Sequence, residues 1–201
     1  MFKATNPKWQ SQGKSWSKET HEGAESETSE LLAAIVRHQK PLWCLETGTA
    51  HGQTSEAIGR ALLANGRGQL WSCDIDRARV HNSRARVEGL PVQIFEQTGE
   101  SLIRSIVEGM PDRRVDFCFI DSWWQPVRIE EVELVVPIIA PGGYLCLHDT
   151  CQNYAQVFET ALRLTGWPHL VFHAPYGVSV FQKPADDDCI GAGVPVTLEP
   201  A

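Results

Sequence analysis

The sequence predicts an α/β fold: a Rossmann-like, doubly wound sheet of seven strands, mostly parallel, closed by a C-terminal antiparallel hairpin. Three observations carry this expectation. From Pro41 onward short apolar runs alternate with stretches of helical periodicity, the pattern of a parallel sheet covered by helices. The runs are continuously apolar, as strands buried on both faces are. The last two runs are joined by Ala174-Pro175-Tyr176-Gly177, a link short enough for a hairpin and too short for a crossover.

The elements follow in order. Residues 1–27 are rich in Ser, Lys, Glu, Gln and Thr, with Trp9 and Trp16 isolated among them, and read as a flexible arm or a lid that closes over a ligand. Thr28 or Ser29 is placed to cap a helix whose Leu31, Leu32, Ile35 and Val36 recur at helical spacing until Lys40-Pro41 ends it. Strands are expected at 42–46, 69–74, 92–97, 115–121 and 143–148, with helices at 54–64, 78–88, 101–108 and 129–139 between them. A last helix at 154–165 leads to hairpin strands at 169–173 and 178–182. Residues 184–201, with Asp186, Asp187 and Asp188, read as a solvated acidic tail, which leaves 28–183 as one domain.

The chain has 201 residues, 18 Lys+Arg and 25 Asp+Glu, for a formal net charge of -7. That balance disfavours nucleic acid or an anionic membrane surface as partner, since both need clustered positive charge. No run approaches the ~20 apolar residues that span a bilayer, and residues 1–18 are polar, so a cytoplasmic location is the default expectation. The six cysteines are scattered without a Cys-x-x-Cys pair and read mostly as reduced core thiols.

In open α/β sheets ligands bind beyond the carboxyl ends of the strands. There the chain carries Glu46-Thr47-Gly48-Thr49-Ala50-His51-Gly52, then Asp74-Ile75-Asp76, Thr98-Gly99-Glu100-Ser101, Asp121, and His148-Asp149-Thr150. A single acid at a strand end often caps a turn. Acids at four of five equivalent positions point to a ligand site. The dinucleotide pattern Gly-x-Gly-x-x-Gly fails here, because Ala50 and Gln53 stand where glycines are required; a nicotinamide dehydrogenase is therefore disfavoured.

The spacing that fits is acid-x-Gly-x-small-x-Gly, on Glu46, Gly48, Ala50 and Gly52. It resembles the first motif of class I S-adenosylmethionine-dependent methyltransferases. The resemblance implies that Glu46, Gly48, Thr49, Ala50 and Gly52 surround the methionine part of the cofactor and that Thr54 holds its carboxylate. It further implies that Asp74 grips the ribose hydroxyls, that Ile75 lies against the adenine, and that Thr98, Gly99, Glu100 and Ser101 follow the adenine edge. Within that class, residues 115–121 and 141–149 resemble the small-molecule O-methyltransferases, catechol O-methyltransferase-like and macrolide-sugar methyltransferase-like. In those enzymes two acids, here Asp121 and Asp149, hold a divalent metal such as Mg²⁺.

Two departures stand out: Thr150 replaces the usual amide ligand, and Trp124 stands where the catechol enzymes carry a lysine base. Trp123 is expected beside the adenine and Trp124 against the acceptor. With no lysine, His148 becomes the candidate general base, ahead of His51 and His173. The implied function is transfer of a methyl group from S-adenosylmethionine to a small hydroxylated acceptor, with Asp121, His148 and Asp149 at the chemistry. A metal-dependent hydroxylase on the same scaffold and an S-adenosylmethionine-binding protein without turnover remain the alternatives, and a homodimer is left open.

Overall fold

The computed structural model describes residues 23–109, 114–151, 154–173 and 176–185. Trp9, Trp16, Ala174-Pro175, the run Asp186 to Asp188 and Cys189 lie outside the described residues.

Helix α1 spans Ser26–Gln39, starting three residues earlier than a cap at Thr28 would place it. Its N-cap residue is Glu25, and the Thr28 hydroxyl donates to Glu25 Oε2 at 3.1 Å. Thr28 and Ser29 therefore sit inside the first turn and do not cap it. Glu25 is fully buried, so this end of the expected arm belongs to the body of the fold.

Strands β1 (Trp43–Thr47), β2 (Gln69–Asp74), β3 (Val92–Glu96), β4 (Val115–Ile120) and β5 (Ile139–His148) alternate with helices α2 (Gln53–Asn65), α3 (Arg77–Arg86), α4 (Gly99–Gly109) and α5 (Gln125–Val135); α6 (Ala155–Thr165) and the hairpin β6 (His169–Phe172) and β7 (Val178–Gln182) follow. The described strands form one seven-stranded sheet in the order β3-β2-β1-β4-β5-β7-β6. Pairing is parallel from β3 to β5, whereas β7 runs antiparallel to both β5 and β6. The expected seven-stranded, mostly parallel architecture with a terminal hairpin is what the structure has.

One boundary differs substantially. Helix α5 starts at Gln125, not 129, with Pro126 in its first turn where a missing N–H costs nothing. A 3-10 turn over Val136–Ile138 then leads straight into β5 at Ile139, not 143. The strand takes in Pro141-Gly142-Gly143 with an irregularity in register opposite Val115 to Phe117.

Side chains alternate across the sheet as the period of 2 requires. Cys44, Leu70, Phe117, Phe119 and Cys146 pack against Leu32 and Val36 of α1 and Ile58 and Leu62 of α2. Leu45, Trp71, Cys118, Ile120 and Leu145 face Ile103 of α4, Val132 and Val135 of α5 and Val157 of α6. The result is three layers. Cys44, Cys73, Cys118 and Cys146 are buried and free, and burial pushes each thiol above its ordinary range. Chain order reverses at β1, with β2 on one side and β4 on the other. At such a switch point consecutive loops turn to opposite faces and open a cleft. No helix among the described residues is long and apolar enough to cross a membrane.

Candidate active site

The loop leaving β1 is shaped by backbone conformation. Gly48 and Gly52 have φ of 80° and 77°, and Ala50 lies in the same left-handed region at 46°. Gly48 and Thr49 N–H both donate to the Cys73 carbonyl at 3.0 Å, which pins the loop to the end of β2. A Cβ on Gly48 would lie 2.3 Å from the Asp121 carbonyl oxygen, so only glycine lets the loop approach the end of β4 this closely.

Asp74 closes the other side. Its Oδ2 accepts from Ala50 N–H and its Oδ1 from Asp76 N–H, both at 2.9 Å. Each oxygen keeps a second acceptor direction for a ligand hydroxyl. After β3, Thr98 Oγ1 accepts from Ser101 N–H at 3.1 Å at the start of α4.

Gly48, Ala50, Asp74, Ile75, Thr98, Gly99, Asp121, Trp123, His148 and Asp149 all line one cleft of about 880 Å³, within the range of small-molecule sites. Glu46, Thr49, Gly52, Thr54, Glu100 and Ser101 do not line it. Glu46 is buried beneath the loop, where it accepts from the Ser55 hydroxyl and from Ser72 Oγ at 2.6 Å. Burial raises its carboxyl to about 7, against the pull of those two hydroxyls. Thr49 pairs with Ser72, Gly52 packs on Ser83, Thr54 is buried, and Glu100 pairs with Arg104 at 2.7 Å on the surface. Ser101 is spent on Thr98. Their part is to brace the loop or the helix start. Trp123, expected beside the adenine, is 80% exposed at the rim, with Trp124 nearby at 63%. His51 and His173 are not among the lining residues.

Beyond β4 and β5 lies a charged cluster whose centre is Arg128 on α5. Its Nε donates to the Ser122 carbonyl and its Nη1 to the His148 carbonyl at 2.8 Å. Its Nη2 bridges Asp121 Oδ1 at 2.9 Å and Asp149 Oδ2 at 3.0 Å. The guanidinium also stacks 4.1 Å from the centre of the Tyr154 ring. His148 Nδ1 faces Asp121 Oδ1 at 3.0 Å and Asp149 Oδ1 at 3.4 Å, while Nε2 faces Glu25 Oε2 at 3.0 Å. Carboxyl oxygens at both ring nitrogens favour the imidazolium, in which both nitrogens donate. Burial alone would lower its pKa, but Asp121, Glu25 and Asp149 outweigh this and raise it to about 10. His148 thus holds a proton at neutral pH, contrary to the expected general base.

Asp149 adopts φ of 59°, which Asp tolerates better than most residues. Burial pushes its carboxyl up, His148 pulls it down, Asp121 pushes it up and Arg128 pulls it down, and the net direction is upward. On α5, Glu131 accepts from Thr47 Oγ1 at 2.9 Å and Ser122 Oγ at 2.7 Å, and burial raises it to about 7 despite those bonds. Sequence reasoning missed Glu25, Arg128 and Glu131. A signal existed: 128, 131, 132 and 135 form one helical stripe that places two charged residues among core positions.

A raised His148 pKa has a sign. The folded state holds a proton to about 10 and the unfolded chain only to about 6.5, so the stabilisation is complete below the lower value and is lost as pH rises through the higher. Between about pH 7.5 and 8.5, above Glu46 and Glu131, His148 contributes a fall in stability of about 1.4 kcal/mol per pH unit, and the four buried thiols add to it toward the upper end. Urea unfolding across that window checks it. The slope should be shallower by that amount in His148→Gln, and equal slopes in the two proteins would mean the ring is neutral.

A comparison with curated protein sequences returns no match. Among solved structures, the fold is shared with an O-methyltransferase from Bacillus cereus in complex with SAH (S-adenosylhomocysteine), with TM-score 0.67, 16% identity, and 82% of this chain and 84% of that one covered. It is shared with the O-methyltransferase TomG of tomaymycin synthesis from Streptomyces achromogenes, in complex with SAM (S-adenosylmethionine), at TM-score 0.68 and 15% identity, over 82% of each chain. The N-methyltransferase NodS from Bradyrhizobium japonicum matches at TM-score 0.60 and 13% identity, over 79% of this chain and 95% of that one. At these identities the likeness is one of fold. The family model described as a methyltransferase domain matches residues 45–150, more than half of the chain and all of the cleft from the end of β1 to the end of β5. The chain belongs to that methyltransferase family.

Proposed function

We propose that the protein transfers the methyl group of S-adenosylmethionine to a hydroxyl of a small acceptor. The observation that carries this is Asp74: a carboxylate at the end of β2, braced on both oxygens by backbone N–H groups and open to the cleft. That is the acceptor arrangement a ribose diol requires. The other residues fit the same ligand. Gly48 and Ala50 offer closely approaching backbone, Ile75, 73% exposed beside the cleft, offers an apolar surface for the adenine, and Thr98 and Gly99 bound its edge.

S-adenosylmethionine, when bound, supplies a methyl carbon already activated by its sulfonium. The work left to the protein is alignment and removal of the acceptor's proton. Asp149 suits the second of these roles, because it reaches the cleft, its carboxyl is raised by burial, and Arg128 and His148 fix its orientation. Asp121, held by the same two cations, lines the same cleft beside it. Tyr154, Tyr176 and Trp124 line the cleft as well, and their flat rings suit a small acceptor with an apolar face.

Calorimetry with SAM and SAH, followed by a labelled-methyl assay against hydroxylated acceptors, tests the reading. Heat with SAH and label on oxygen support it. Heat without label transfer to any acceptor favours a binding protein, and no heat at all removes the cofactor. Asp74→Ala should weaken SAH binding by about 1–3 kcal/mol, roughly 5- to 150-fold in Kd. An unchanged Kd in a folded variant would reduce Asp74 to a brace for the loop.

A further inference from the structure

We infer that the Asp121–Asp149 pair is closed to divalent cations, and that Arg128 is the resident cation of this site. On distance alone the pair is a candidate metal centre: ligand atoms of Asp121, His148 and Asp149 lie within 4.8 Å of one another. A Mg²⁺ shared by the two carboxylates must stand ~2.1 Å from an oxygen of each. That space is filled by Arg128 Nη2, 2.9 Å from Asp121 Oδ1 and 3.0 Å from Asp149 Oδ2.

The guanidinium is not free to leave. It is 3% exposed, it donates also to the Ser122 and His148 carbonyls, and it rests on the Tyr154 ring. A guanidinium carries a positive charge, so a divalent ion beside it would meet direct repulsion. His148 Nδ1 stands against both acids as well, 3.0 Å from Asp121 Oδ1 and 3.4 Å from Asp149 Oδ1. The position that would supply a third oxygen is also turned away: Thr150 is 7% exposed and its hydroxyl pairs with Ser179 Oγ at 2.7 Å, on β7. The residues at this site therefore do not fit a divalent metal, although the resemblance in sequence implied one. Arg128 acts as a positioning residue, neutralising the two acids and holding Asp149 toward the cleft.

Cation binding at the cluster is measured without any methyl-transfer assay, so the inference fails or survives independently of the proposed reaction. The full chain, stripped with EDTA and desalted, is titrated with Mn²⁺ while the free-ion paramagnetic resonance signal is followed. No binding that depends on Asp121 is expected below about 1 mM. Stoichiometric binding below that level in the wild type, lost in Asp121→Asn, would overturn the inference. Arg128→Met, checked for folding by circular dichroism, should bind Mn²⁺ at least about tenfold more tightly than the wild type. A folded variant with no gain would overturn the assignment of Arg128 as the group that closes the site; if that variant does not fold, the wild-type and Asp121→Asn titrations decide.

Discussion

Arg128→Met should lower the stability of the fold by about 3–5 kcal/mol, the usual cost of removing one partner from a buried charge network. The substitution keeps much of the side chain's bulk, so the loss isolates the guanidinium. That group serves four acceptors, two of them carboxylates, and it is nearly inaccessible to solvent. Without it, Asp121 and Asp149 face each other with only His148 between them. In a chain of this size the loss corresponds to a fall of roughly 6 to 20 °C in Tm. Urea unfolding near neutral pH measures it directly. Arg128→Lys should recover only part, because an ammonium cannot reach four acceptors in the planar arrangement that the fork spans. A loss below about 1 kcal/mol would put the network on a par with exposed ion pairs and show that it does not hold the site rigid.

Gly48→Ala should be nearly as damaging, for reasons that add. An L side chain in the left-handed region costs about 1–2 kcal/mol, and its Cβ would lie 2.3 Å from the Asp121 carbonyl oxygen and 2.6 Å from the carbonyl carbon. Forcing such a contact apart costs about 1–3 kcal/mol more. The loop or the end of β4 must move, and either shift displaces the cleft wall. The expected result is a loss of about 2–5 kcal/mol in stability, together with loss of SAH binding by whatever remains folded. Ala50→Gly two residues away serves as the control. Ala50 already sits at φ 46°, so that change should leave stability the same or slightly higher. Equal losses in both variants would show that backbone conformation is not what distinguishes the two positions.

The layered fold was legible because its signals are local. Continuous apolar runs such as Phe117 to Ile120 have no use except burial on both faces, and the four acids mark strand ends whatever the strand order. The glycine loop was legible for the same reason, since a tight turn constrains residue type at fixed spacing. The start of α5 was placed at 129, four residues late, although Pro126 suits a first turn, and this left Arg128 outside the helix and hid the centre of the charged cluster. Glu25 was illegible for a different reason: its partner His148 is 123 residues away, and nothing near Glu25 in sequence marks it as buried. The proton on His148 was equally out of reach, because it depends on three carboxylates from three separate segments. Asp121 and Asp149 were found, but their shared partner was not, and the partner changes the chemistry expected of them.

The pairing of β1 with β4 also bears on the order in which the molecule assembles. It joins segments such as Trp43 and Asp116, 73 residues apart, and the contact of Glu25 with His148 spans more still. Closing such long loops costs entropy before any contact offsets it. A partly folded chain with β1, β2, β3 and their helices in place would already hold the glycine loop against Asp74. It would lack the whole charged wall beyond β4 and β5. A ligand that needs both walls can then bind only the finished sheet. Its effect on kinetics should fall on the unfolding rate, with early folding steps left as they were.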